Sequence, residues 1–227
     1  MTTKPLLCLV TNRARLAEAV GRPLTDASGL LLRQIEGAVA GGVDLVQIRE
    51  PDLEGRDLVR LVRDAVAIAA HSATRVVVNA RVDVAIAAGA AGVHLRESSM
   101  TATQVRRIAP QCIVGRSVHS TQRAAEAGPV DYLIAGTLFP TPSKADASET
   151  LGPEGLAAIV RAASGVPVLA IGGITATTIR QVRATGAAGV AAIGAFIPSD
   201  RDADLVQAVE KSAQTLRFAF DTASAVS

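Results

Sequence analysis

The chain has 227 residues, of which 49% are apolar, and its formal net charge is +2. That length fits one large domain or two small ones with a sizeable core, and a balanced charge with no Lys/Arg run leaves no footprint for nucleic acid. Aromatic residues make up 2% and Trp is absent, so stacking platforms for bases or sugars are excluded.

The predicted elements alternate along the whole chain. The first apolar run, Pro5 to Val10, is too brief for a signal segment or a membrane span. A cytoplasmic protein without membrane contact is therefore expected. Strands are predicted at Leu6–Thr11, Val43–Arg49, Arg75–Asn79, Gly92–Leu95, Cys112–Val118, Asp131–Gly136, Val166–Ile171 and Gly189–Ile193. The two cysteines, Cys8 and Cys112, fall within these apolar runs and read as buried reduced thiols, since a disulfide framework or metal site needs more of them at closer spacing. Between the second and third strands, Leu58, Leu61, Val62, Ala65 and Ile68 recur at helical spacing. Thr101 with Gln104 three positions on forms a capping-box signature. A helix from Leu205 to Phe218 closes the series, and 222–227 reads as a frayed tail. Similar words precede three strands: Ala40-Gly41-Gly42-Val43-Asp44, Ala88-Gly89-Ala90-Ala91-Gly92 and Thr185-Gly186-Ala187-Ala188-Gly189. Each reads as a helix ending at Gly and turning directly into a strand. Strand starts lie about 26 residues apart, the length of a βαβ unit. Eight such units predict a single α/β domain over 1–227, a (β/α)8 TIM barrel. A doubly wound open sheet is the alternative, but the first βα turn lacks the GxGxxG of a dinucleotide site.

In a barrel the active site forms at the carboxyl ends of the strands. That rule selects Gln47, Arg49 and Glu50 after strand two, Asn79 after strand three, and His94, Arg96 and Glu97 after strand four. Strand five contributes Arg116, Ser117 and His119, and the loop after strand six holds Thr137, Thr141, Ser143, Lys144 and Asp146. Gly172-Gly173 and Ile193-Gly194 close strands seven and eight, the first pair before a helix expected near Thr175. Backbone N–H groups at such turns approach an anion closely, so these four residues are the predicted phosphate site; the alternative is that the glycines only make tight turns. His119, before a helix that Ser120 could cap, suits proton transfer at carbon, against a purely structural role. His94 reads as packed and His71 as a surface residue. Arg49 and Lys144 are candidate anion-binding cations, and Asn79 either faces the pocket or satisfies loop backbone. Glu50, Glu97 and Asp146 form no obvious pair, so no metal site is expected.

These words together resemble the thiamine phosphate synthase superfamily, which includes the TenI-like thiazole tautomerases. The words are Gln47-Ile48-Arg49-Glu50, Val78-Asn79-Ala80-Arg81-Val82-Asp83, Gly92-Val93-His94-Leu95, Gly115-Arg116-Ser117-Val118-His119-Ser120, Phe139-Pro140-Thr141 and Ala170-Ile171-Gly172-Gly173-Ile174. The synthase pattern places Lys, Asp and Asp where this chain has Pro51, Ala80 and Ser99. The first of those holds diphosphate and the two acids hold its Mg²⁺. The Gly-Arg-Ser-Val-His-Ser word is similar to the tautomerase branch, whose matching His is the acid/base. The resemblance thus implies an isomerase that aromatises a carboxythiazole phosphate tautomer without cofactor. His119 would carry the proton, and Gln47, Arg49, Asn79, Ser117, Thr141, Ser143 and Lys144 would bind the substrate. The alternative is thiamine phosphate synthase proper, joining hydroxymethylpyrimidine diphosphate to thiazole phosphate, with Mg²⁺ required only in that case. A third reading is a non-catalytic barrel that binds thiazole phosphates. The oligomeric state stays open, a homo-oligomer included.

Overall fold

Short, almost wholly apolar strands with no alternation are the mark of parallel strands covered on both faces, and the computed structural model, which describes residues 6–141 and 150–222, has eight of them. They are β1 Leu6–Val10, β2 Leu45–Ile48, β3 Arg75–Asn79, β4 Gly92–Leu95, β5 Ile113–Val118, β6 Tyr132–Ala135, β7 Val168–Ile171 and β8 Gly189–Ala192. Their hydrogen-bonded order is β1 through β8 in sequence, closed into a barrel. The open-sheet alternative is thereby excluded. Register pairs Val10 with Gln47, Gln47 with Val77, Arg116 with Leu133 and Ala135 with Ala170.

The helices are α1 Arg13–Ala19, α2 Ala27–Ala40, α3 Gly55–Ala69, α4 Val82–Ala88, α5 Ala102–Ile108, α6 Thr121–Ala125, α7 Gly152–Ala162, α8 Ile179–Ala184 and α9 Leu205–Thr222. Their starts follow local chemistry. Asn12 caps α1 by accepting from the Arg15 amide at 3.0 Å, the Thr101/Gln104 capping box is complete at α5, and Ser120 caps α6. In α3 the buried stripe is Leu58, Leu61, Val62, Ala65 and Ala69. Ile68, expected in that stripe, is only half-buried because Ala69 takes the inward place. The three repeated Gly words each place one glycine in the left-handed region, at Gly42, Gly89 and Gly186, where a side chain would be strained. None of the described helices is long and apolar enough to cross a membrane. The last helix runs on to Thr222, whose hydroxyl donates to the Phe218 carbonyl; 223–227 lie outside the described residues.

The chain divides into two compact units, one built around Cys8–Val93 with Ile193–Gln214, the other around His94–Ala192. In the first, α2 lies so close to α9 that a Cβ on Gly41 would stand 2.6 Å from the Ala213 Cβ. Cys8 is fully buried there, which pushes its thiol up to about 12 and leaves it inert as a nucleophile. In the second, β5 and β6 carry the core with Val114, Val118, Leu133 and Ile134. Cys112 is also a free thiol, though only half-buried.

Candidate active site

In the first unit, the carboxyl end of β2 carries four polar or charged groups with different fates. Gln47 is 3% exposed, and its amide donates to the Asn79 Oδ1 at 3.0 Å. The Gln47 Oε1 is buried with no hydrogen-bond partner among the described residues, an acceptor in want of a donor. Glu50 accepts from the Thr11 hydroxyl at 2.6 Å and from the Arg13 amide at 3.1 Å. Burial raises the Glu50 pKa, against the opposing pull of Thr11 and Arg13. Arg13 itself reaches Asp52. Thr11 also accepts from the Arg49 amide at 2.9 Å. Glu50 is therefore the pin of the β1–α1 turn, and the Arg49 side chain beside it is half-buried with no partner among the described residues. Ile193 and Gly194 follow β8, and Gly194 opens a short 3₁₀ turn with its backbone exposed. A Cβ on Gly194 would lie 3.5 Å from the Arg15 guanidinium. Arg15 sits in the first turn of α1, away from any strand end, so the strand-end rule passed over it.

In the second unit, His94 is 1% exposed, hydrogen-bonded through Nε2 to the Ser117 hydroxyl at 2.9 Å and through Nδ1 to the Tyr132 hydroxyl at 3.2 Å. Burial lowers its pKa to about 3, so the ring is neutral. His94 is packed, as expected, yet it is also bonded to Ser117. Glu97 pairs with Arg123 at 2.7 Å and stands 3.9 Å from the His119 Nε2. The Arg116 guanidinium donates to the Glu97 carbonyl. His119 is exposed, and its Nδ1 meets the Gly136 carbonyl; since a carbonyl only accepts, that nitrogen carries the proton. His71 is exposed.

Gly172 and Gly173 both have positive φ, and a Cβ on either would stand 2.5 or 2.6 Å from Thr137 or Phe139. Close packing against the loop after β6 thus demands glycine here, whatever ligand the turn holds. The helix expected near Thr175 begins at Ile179. The Thr178 hydroxyl donates back to the Gly173 carbonyl at 3.1 Å, and residues 175–178 make a turn instead. Thr141 is half-buried at the edge of the described stretch. Ser143, Lys144 and Asp146 lie outside the described residues.

The Mg²⁺ that the synthase resemblance implies does not fit the donors at these strand ends. Ala80 and Ser99 stand where acids would be needed, and the Ser99 hydroxyl is spent on the Arg96 carbonyl at 2.8 Å. Glu50 is sealed by Thr11 and Arg13, and Glu97 is held by Arg123. Among the described residues no three His, Cys, Asp or Glu side chains stand close enough to share a metal ion. Ala80 moreover holds φ at +60°, a left-handed conformation better suited to Asn, Asp or Gly.

Fold and strand-end chemistry together define the class: a (β/α)8 barrel with amides, hydroxyls and arginines at the carboxyl ends of its strands. The chain belongs to the thiamine monophosphate synthase family, whose model matches residues 9–196. A thiamine-phosphate synthase of Azorhizobium caulinodans is 37% identical over 88% of this chain and 92% of its own. Another of Albidiferax ferrireducens is 41% identical over 78% of this chain and 79% of its own. Among solved structures, a thiamine phosphate pyrophosphorylase from Pyrococcus furiosus has a TM-score of 0.79 at 31% identity, covering 98% of both chains. These likenesses overturn the isomerase expectation. That reading rested on the departures at Pro51, Ala80 and Ser99 and on one six-residue word around His119, whereas similarity to proteins named as synthases extends over most of the chain. The tautomerase role for His119 was part of that reading; these likenesses bear on the reaction and not on the residue's place in the site.

Proposed function

We propose that the chain is a thiamine-phosphate synthase, a transferase that joins hydroxymethylpyrimidine diphosphate to thiazole phosphate. The observation that carries this is its likeness, over most of the chain, to proteins of that name. In the reaction the pyrimidine methylene exchanges its bond to a diphosphate oxygen for a bond to the thiazole nitrogen. Diphosphate leaves with the electron pair. The chemistry needs positioning and neutralisation of the departing charge rather than a nucleophile from the protein.

The residues present suit those tasks. The unpartnered Gln47 Oε1, beside Asn79, would accept from the pyrimidine's amine. Arg49 is a candidate cation for a substrate phosphate, and Arg116, in the same unit as Ser117, would lie toward diphosphate oxygens, for which a guanidinium fork is well matched. Ser117 would donate to one of those oxygens. The Gly172-Gly173 turn and the Ile193-Gly194 turn are each candidates for the thiazole phosphate, with Arg15 an added cation beside Gly194. Thr141, Ser143 and Lys144 complete the substrate-binding set in this reading, and His119 stays at the mouth as a partner of Glu97. No step passes through a metal. A cytoplasmic setting accompanies the assignment.

A bacterial strain deleted for its own thiamine-phosphate synthase tests this. Expression of the chain is expected to restore growth without thiamine. Failure to grow with folded protein accumulating would contradict it.

A further inference from the structure

His94 is a buried titratable group to which the proposed reaction gives no task. His94 is enclosed, and the hydroxyl of Tyr132 lies on one ring nitrogen while that of Ser117 lies on the other. Tyr132 is the only tyrosine in the chain and is 3% exposed. Its ring lies 5.6 Å from the imidazole, centroid to centroid. The seat under it is built for it: a Cβ on Gly115 would fall 2.1 Å from the Tyr132 Cζ and 2.4 Å from its hydroxyl oxygen. Ser117 is half-buried, at the open end of the row.

A neutral imidazole has one donor and one acceptor, so the row has a direction. If Nε2 carried no proton, the Ser117 hydroxyl would donate inward and turn a lone pair outward, toward an anion that offers only lone pairs. The opposite polarity leaves the Ser117 proton free for the anion. We propose that Tyr132 and His94 are positioning residues that orient the Ser117 hydroxyl as a donor to an anionic oxygen of the substrate. Tyr132 O–H donates to Nδ1, Nε2–H donates to the Ser117 Oγ, and the Ser117 proton points out. Burial, which keeps the ring neutral down to a pH of about 3, stops protonation from erasing this polarity across the working range. The inference rests on the synthase reading for the identity of the anion, but not for the tautomer.

The test has two arms. Nitrogen-15 NMR of the resting protein, with the His94 signal assigned by His94→Gln among three histidines, is expected to show the proton on Nε2. Inorganic diphosphate binding is then measured by calorimetry for Tyr132→Phe, Ser117→Ala and both together. Ser117→Ala is expected to weaken binding about tenfold, the scale of one charge-assisted hydrogen bond. Tyr132→Phe should weaken it several-fold in the wild-type background and leave it unchanged in Ser117→Ala, because its effect passes through that hydroxyl. A proton on Nδ1, or an equal cost of Tyr132→Phe in both backgrounds, overturns the relay. A wild-type chain that binds no diphosphate while carrying the Nε2 proton overturns the synthase reading and the anion assigned to Ser117.

Discussion

Glu50 and Glu97 each follow the end of a barrel strand beside an arginine, one in each compact unit, and they are put to different uses. Glu50 is 5% exposed and bonded to Thr11 and to the Arg13 backbone. Glu97 lies half-buried, and its partners Arg123 and His119 are each 55% exposed. The first carboxylate locks a turn; the second belongs to a solvated cluster. Two acids alike in sequence context are separated by burial alone, and only the sealed one is structural.

The sharpest way to break this comparison is to remove each acid. Glu50→Ala leaves the Thr11 hydroxyl and the Arg13 amide without their acceptor in a dry site, and a loss of about 3 kcal/mol in unfolding free energy is expected. Glu97→Ala removes an ion pair with a largely solvated partner, worth under about 1 kcal/mol. Urea denaturation of both variants checks this, and equal losses would mean that burial is not what separates the two.

A gradual effect, spread over several pH units, sharpens it through pH. The folded His94 titrates at about 3 against an ordinary 6.5, because burial disfavours its charged form. Below the ordinary value the unfolded chain binds a proton that the folded chain refuses. Stability is thus full above pH 6.5 and is lost as pH falls toward 3, at up to about 1.4 kcal/mol per pH unit for one proton. His94→Gln should flatten that part of the stability profile. An unchanged slope in the variant would place the proton uptake elsewhere.

Much of the fold was legible because its signals are local. Apolar runs without alternation marked all eight strands to within a few residues, and the caps at Thr101 and Ser120 depend on neighbours three positions away. What escaped depends on distant partners. Glu50 showed no obvious pair because Thr11 is 39 positions from it, and His94 read as packed because Tyr132 is 38 away. The start of α8 was misplaced because Thr178 turns its hydroxyl back to Gly173 instead of letting the helix begin near Thr175. Arg15 was missed because it reaches Gly194 from a helix rather than from a strand end. The functional branch was misread for a related reason. The Lys and two Asp of the synthase pattern, replaced here by Pro51, Ala80 and Ser99, were weighed against a family resemblance that runs through most of the chain.

The purified reaction tests the central assignment most directly. With hydroxymethylpyrimidine diphosphate and thiazole phosphate supplied together, mass spectrometry and a phosphate assay should find one diphosphate released for each thiamine phosphate formed, and neither product when one substrate is withheld. Folded protein that binds both substrates and yields no thiamine phosphate, with Mg²⁺ or without it, would contradict the account.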